Sequence, residues 1–234
     1  MIDWSAIDTV LLDMDGTLLD LHFDNYFWLC HLPHRHAEHH GLDLDESKRL
    51  LNQRFLEKRG TLDWYCLDYW DRELTLDVRQ LKEEVQHLIA ERPHAIDFLQ
   101  QLKTAGKQRI LITNAHPKSL DLKLALTGIG DHLDRIISSH QYRAPKESPL
   151  FWQALLGDIG FDATRTLFID DSDAVLDAAH CFGIRHLCCI HQPDSQQQSR
   201  YSGRFPAIDH FDDIFPAPAD FELAPSCTAV KRHG

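Results

Sequence analysis

The chain has 234 residues, enough for one large or two small domains around a sizeable core. With 43% hydrophobic and 26% charged residues it has the balance of an ordinary soluble globular protein. A net charge of −12 at pH 7 argues against a general nucleic-acid surface, which needs a basic face, and no apolar run approaches the roughly 18 residues of a membrane span.

The first predicted element is a buried strand over Ile7 to Leu12, broken only by Asp8 and Thr9. It ends in Asp13-Met14-Asp15-Gly16-Thr17, so two carboxylates arrive together at the carboxyl edge of a sheet, where open α/β folds place their ligands. Gly16 permits a tight turn and close approach of backbone to a ligand. Paired acids there point to a divalent metal, a nucleophile or both; an ordinary Asp-Gly turn with Asp15 as a cap is the alternative. A helical region follows from Asp24 to Ala90, with breaks expected at Pro33, Gly41-Leu42-Asp43, Gly60-Thr61 and Thr75 to Asp77. Helices are predicted after Asp43 and Asp45, over Trp64 to Leu74, and over Val78 to Ile89. A helical run of this kind after one strand has the form of an inserted module.

From Pro93 the rhythm changes to alternating helices and strands. Helices are predicted over Ala95 to Leu102, Pro117 to Leu126, Glu147 to Leu156 and Ser172 to Cys181. Strands are predicted over Gln108 to Asn114, Arg135 to Ser138 and Thr166 to Ile169, with His186 to Ile190 the last. This alternation predicts an α/β fold, a doubly wound parallel sheet with helices on both faces. Gln192 to Arg204 is polar and reads as a surface loop, and the Pro-rich end from Phe215 as an unstructured tail. Cys30, Cys66, Cys181, Cys188 and Cys189 sit among apolar residues, and with Cys227 they show no disulfide or metal spacing. With Met1-Ile2-Asp3-Trp4 lacking a secretion-signal pattern, this predicts a reducing, cytoplasmic setting.

Strand after strand ends in groups suited to phosphate or metal chemistry: Asp13 and Asp15, then Thr113-Asn114, then Lys146 in the loop after the third, then Asp170-Asp171. Parallel strands put all of these at one edge. The Thr113 hydroxyl and nearby backbone N–H groups suit phosphoryl oxygens, helped by the helix N-terminus at Pro117. Phosphate monoester hydrolysis asks for acceleration of up to roughly 10²¹-fold. No single group supplies that, so positioning, metal, nucleophile and charge neutralisation must combine.

These motifs, in this order over about Asp8 to Ile190, resemble the haloacid-dehalogenase-like phosphatases. The resemblance implies Asp13 as nucleophile, Asp15 as general acid/base, and Lys146 as the cation between nucleophile and phosphate. It implies Thr113, Asn114 and Lys146 as phosphate-binding residues. It further implies Mg²⁺ held by Asp13, the Asp15 carbonyl and Asp171, with Asp170 supporting from behind. Fourth motifs of the family often carry a later second acid; here Val175 stands at that position, while Asp173 and Asp177 read as helix N-terminal and surface acids. The resemblance also divides the chain into a core of residues 1–20 and 91–215, a helical cap of 21–90 entered through Leu18 to Asp24, and a flexible tail of 216–234.

With Thr113-Asn114-Ala115-His116-Pro117 and Phe168-Ile169-Asp170-Asp171-Ser172, the aromatic stretch from Leu62 to Trp70 is similar to the bacterial GMP/IMP 5′-nucleotidases. That implies a purine nucleoside monophosphate as the small phosphorylated partner, with neither a nucleic-acid polymer nor a membrane involved. A small-metabolite phosphatase (phosphoglycolate or a sugar phosphate), a phosphomutase and a non-catalytic binding protein are the rival readings. Trp64, Tyr65, Tyr69 and Trp70 read either as cap core or as a purine stack. His31, His34, His36, His39 and His40 read as a solvated helix-surface cluster ahead of a zinc site. His116 is open between phosphate contact and capping, Arg54, Lys58 and Arg59 between substrate contact and surface charge, and Arg143 is a further phosphate candidate.

Overall fold

In a computed structural model of the chain, residues 2–199 and 201–216 are described. Six strands form one sheet: β1 (Thr9–Leu12), β2 (Gln108–Thr113), β3 (Arg135–Ser138), β4 (Thr166–Asp170), β5 (His186–Ile190) and β6 (Ala207–Ile208). Their order is β3-β2-β1-β4-β5-β6 and every pairing is parallel. The expected doubly wound sheet is therefore present, with a short sixth strand that the polar stretch before it had hidden. β1 lies at its centre, and all four of its residues are buried, as a parallel strand covered on both faces requires.

Alternation along β1 divides the core in two. Val10 and Leu12 face a layer containing Phe98, Leu99 and Leu102 of α7 (Ala95–Thr104). Leu11 faces the opposite layer, with Phe151 and Trp152 of α9 (Pro149–Ile159) and Leu176 of α10 (Asp173–Phe182). The remaining sheet helix, α8, spans Pro117–Thr127. In register, Leu12 stands beside Leu111 on one side and Ile169 on the other. The residues that follow these strands thus leave the sheet together, at the point where the strand order reverses.

Between β1 and β2 lie α1 (His22–Tyr26), α2 (Leu32–His40), α3 (Leu44–Lys58), α4 (Leu62–Tyr65), α5 (Leu67–Leu74) and α6 (Val78–Glu84). Their apolar faces bury Phe23, Phe27, Leu51, Trp70, Leu74 and Val78 in a cluster separate from the two sheet layers. The insert's two ends run side by side: Asp20 N–H donates to the Ala90 carbonyl and Arg92 N–H to that of Leu18.

Four local expectations are corrected. Pro33 does not break a helix. Phe27–His31 winds as a π-helix, with the Leu32 N–H reaching the Phe27 carbonyl, and Pro33 falls in the first turn of α2 where its missing N–H costs nothing. The helix expected over Trp64 to Leu74 is split at Cys66, which is extended (φ −86°, ψ 108°). The histidine cluster is solvated except at one member: His34, His39 and His40 are exposed, His40 also meeting the Leu74 carbonyl (2.9 Å), whereas His36 is buried against the Ser47 hydroxyl (2.9 Å). Among the cysteines, Cys30 and Cys181 are exposed rather than packed; Cys188 and Cys189 are buried. At the C-terminal end, the Phe215 ring stacks on Phe98, so the chain is still packed there; residues 217–234, including Cys227, lie outside the described residues.

Trp70 is the centre of the insert. Its indole N–H donates to the Trp64 carbonyl (2.9 Å), and its ring meets Phe55 edge-on at 5.2 Å. Trp70→Ala is expected to cost about 3–5 kcal/mol, read as a lower midpoint in chemical denaturation. A conservative Trp70→Phe should recover most of that loss.

Candidate active site

Asp13 is the first residue past β1, its N–H donating to the Ile169 carbonyl of β4 (3.0 Å). Met14 turns into the sheet core, so Asp13 and Asp15 share the opposite side. The Lys146 ammonium, 2% exposed, lies 2.5 Å from Asp13 Oδ1 and 2.6 Å from Asp170 Oδ2. Its backbone is fixed as firmly: Lys146 N–H donates to Asn114 Oδ1 (2.9 Å), and the Trp152 indole donates to the Lys146 carbonyl (2.8 Å). The other oxygen of Asp170 accepts from Ser172 N–H at 2.8 Å.

Asp171 has a different neighbourhood. It is pressed against the turn at Gly16, where φ is +84° and a Cβ would stand 2.7 Å from Asp171 Oδ2. Glycine at this position meets both a backbone and a steric demand. Oxygens of Asp13, Asp170 and Asp171 lie within 4.8 Å of one another. Burial, then repulsion from Asp170 and Asp13, holds the Asp171 carboxyl well above its ordinary pKa. Burial likewise pushes Asp13 up to about 6, against the pull of Lys146. For Lys146 burial acts in the opposite sense, yet Asp13 and Asp170 keep the ammonium above its usual value. One lysine facing three acids leaves negative charge unbalanced, and an all-oxygen donor set suits a hard divalent cation such as Mg²⁺.

Asp15 has its own cation. Lys123 of α8 lies 2.5 Å from Asp15 Oδ1 and 2.6 Å from Asp24 Oδ2, while Lys82 of α6 lies 2.8 Å from Asp24 Oδ1. A buried chain Asp15–Lys123–Asp24–Lys82 therefore runs from the sheet edge into the helical insert. Burial pushes Asp15 up to about 6 although Lys123 draws it down. In Asp24 the two lysines outweigh burial and hold the carboxyl below its ordinary range.

The sequence did not single out Lys123, Asp24 or Lys82, although a helical projection carries a signal. Ser119, Leu120 and Lys123 share the buried face of α8; Val78, Leu81 and Lys82 share that of α6. A lysine on a buried stripe demands a buried anion. Glu147 also went unnoticed. It accepts from the Tyr65 phenol of the insert (2.6 Å) and from the Asn114 amide (3.0 Å).

These groups surround a cavity of about 290 Å³. Asp13, Asp15, Thr113, Asn114, Lys146, Asp170 and Asp171 all line it, so every sequence-predicted site residue is brought to one place. Thr113 Oγ1 accepts from Ala115 N–H (3.0 Å). The insert contributes Trp28, Trp64, Tyr65 and Trp70 to the wall, so part of the aromatic stretch is both core and lining. His116 lines the cavity and also receives the Lys118 N–H at the start of α8 (3.4 Å). Arg54, Lys58, Arg59 and Arg143 do not line it: Arg54 bonds the Glu73 carbonyl and Lys58 pairs with Asp63. Val175 lies buried on the lining, Asp173 opens α10, and Asp177 pairs with Arg204.

Known proteins agree with this picture. The GMP/IMP nucleotidase YrfG of Escherichia coli (strain K12) is 44% identical over 216 residues, covering 92% of this chain and 97% of that protein. The (S)-2-haloacid dehalogenase 4A of Burkholderia cepacia is 25% identical, over 78% of this chain and 82% of its own length. The crystal structure of a HAD phosphatase from Thermococcus onnurineus shares the fold with a TM-score of 0.73 at 22% identity, covering 88% of this chain and 95% of that one. The profile of the haloacid dehalogenase-like hydrolases matches residues 7–183, a span that holds all four motif sites, and the chain belongs to that family.

Proposed function

We propose that this hydrolase is a Mg²⁺-dependent phosphatase that works through an aspartyl-phosphate on Asp13 and acts on purine nucleoside 5′-monophosphates, GMP and IMP foremost. The reaction rests on one observation: Asp13 and Asp15 open on the same cavity, each against a different buried lysine, Lys146 and Lys123. The nucleotide rests on the 44% identity to a GMP/IMP nucleotidase, with the aromatic wall as the surface on which a purine would stack.

In this reading Asp13 attacks phosphorus as Asp15 gives its proton to the leaving ester oxygen, and the P–O bond to the nucleoside breaks. Asp15, now a carboxylate, takes a proton from water; that water's oxygen attacks the phosphorus held on Asp13, the P–O bond to the Asp13 carboxyl oxygen breaks, and inorganic phosphate departs with the Asp13 carboxylate restored. Lys146 offsets the repulsion between the Asp13 carboxylate and the phosphate dianion. Asp170 holds Lys146 in place, while Thr113, Asn114 and the start of α8 receive phosphoryl oxygens. Asp13, the Asp15 carbonyl and Asp171 would hold Mg²⁺, which supplies Lewis-acid polarisation of the phosphoryl group. Residues 21–90 act as a cap over the core of 1–20 and 91–215, and the paired strands of backbone at Leu18–Asp20 and Ala90–Arg92 serve as its hinge.

The modest cavity favours a second reading, a phosphatase of small metabolites, since about 290 Å³ lies at the low end for ligand pockets. A panel of GMP, IMP, AMP, pyrimidine monophosphates, phosphoglycolate and a sugar phosphate, with and without Mg²⁺, separates the two. Highest kcat/KM on GMP or IMP with stoichiometric phosphate release is expected. A preference for phosphoglycolate or the sugar phosphate selects the second reading, and phosphoryl return to sugar selects a mutase. Asp13→Asn should abolish phosphate release while the chain still folds, since Lys146 keeps Asp170 as a partner; near-normal turnover in that variant refutes the nucleophile.

Lys123 lowers the Asp15 pKa, so Lys123→Met raises it further. The acid form then survives to higher pH, and the alkaline limb of kcat/KM is expected to move upward. An unmoved limb would separate Asp15 from leaving-group protonation. Gly16→Ala should displace Asp171 and raise the Mg²⁺ concentration needed for half-maximal activity, with little change in fold.

A further inference from the structure

A second group of potential metal ligands borders the cavity, with His116 on its lining, and has been given no role in the chemistry above. The Cys66 thiol and one ring nitrogen each of His116 and His140 lie within 4.8 Å of one another. They come from three separate elements. Cys66 is the extended residue that splits α4 from α5 in the insert, His116 precedes α8, and His140 lies in the single turn after β3. The two imidazoles meet edge-to-face with centroids 4.9 Å apart.

His116 already has neighbours on both ring nitrogens: Nδ1 accepts from Lys118 N–H at a long 3.4 Å, and Nε2 lies 3.6 Å from Asp68 Oδ2, a contact that a metal on Nε2 would replace. His140 packs edge-to-face on His116, and its Nε2 is buried without a partner. An orphaned buried nitrogen costs about 1–3 kcal/mol. A buried ring fixed by packing, with one nitrogen left bare, is available to take a ligand there. Burial lowers the pKa of both rings, His140 to about 4, so both are neutral ligands at pH 7. Simple packing of three polar residues at a seam explains neither the bare Nε2 nor the break in helix at Cys66.

We propose that Cys66, His116 and His140 form a Zn²⁺ site that ties the helical insert to the sheet domain. A thiolate and two imidazoles are a soft donor set that selects Zn²⁺ over Mg²⁺, the reverse of the carboxylate group. Zn–S and Zn–N bonds of about 2.0–2.3 Å put tetrahedral ligands about 3.5 Å apart, so atoms now within 4.8 Å of one another must draw together. On binding, the Cys66 thiol gives its proton to solvent as the S–Zn bond forms. Three protein ligands leave a fourth position for water or an anion.

The test is optical and needs no turnover, so it stands whatever the substrate panel returns. The full chain, stripped of metal and held in excess Mg²⁺, is titrated with Co²⁺. One equivalent should give tetrahedral visible bands and a thiolate-to-cobalt charge-transfer band, both removed by one equivalent of Zn²⁺. Cys66→Ser should lose the charge-transfer band. Loss of an outer partner alone lowers metal affinity about 10–100-fold, so His140→Ala should weaken binding at least about tenfold. Zn²⁺ should raise the melting temperature of the wild type and not of Cys66→Ser. Absence of a charge-transfer band in the wild type, its retention in Cys66→Ser, or unchanged affinity in His140→Ala overturns the site. Visible bands without charge transfer would assign the cobalt to histidines elsewhere, such as those of α2.

Discussion

Crowded negative charge at one sheet edge governs this molecule. Asp13, Asp15, Asp170 and Asp171 are delivered there by two neighbouring strands, and buried carboxylates repel one another with little solvent to screen them. The fold answers with two lysines that are themselves almost wholly buried, Lys146 and Lys123, each shared between two acids. Breaking any such pair strands a charge, so these contacts are held for geometry rather than for net stability. What remains unbalanced is concentrated on Asp171, which has repulsive neighbours and, among the described residues, no lysine paired with it. The same residual charge that makes the edge unstable by itself makes it suited to a divalent cation and a phosphate together.

The sheet could be read from the sequence because its strands are local runs with buried residues on both faces. Ile110-Leu111-Ile112 and Leu167-Phe168-Ile169 need no partner to be recognised, and the residue that ends each run is set at the sheet edge by strand length alone. Asp13, Thr113 and Asp170 were legible for that reason. β6 was not, since two residues in a polar neighbourhood carry no period. Nor was the π-helical turn ahead of Pro33, where a proline's effect depends on how the preceding turn can widen.

The part of the site that was hidden lies in contacts between distant segments. Lys123 meets Asp15 across 108 residues, and Tyr65 meets Glu147 across 82. Neither pair has a spacing to find. Of the charged residues that looked most suited to substrate, Arg54 and Lys58 are engaged locally on the insert surface instead, and Arg59 does not line the cavity. Charge in a sequence marks candidates, but burial decides which of them act, and burial belongs to the tertiary packing.

The chain of four alternating charges from Asp15 to Lys82 has a thermodynamic consequence. Lys82 belongs to the insert and Lys123 to a helix of the sheet layers, with Asp24 between them on the insert's first helix. Any displacement of the insert that draws Asp24 away returns the whole of Lys123 to Asp15 and makes that carboxyl harder to protonate. By reciprocity, adding a proton to Asp15 releases Lys123 toward Asp24 and strengthens the insert's hold on the core by the same free energy. The contact between insert and core and the proton on Asp15 are therefore linked, and any loosening of that contact would be in part an acid–base reaction.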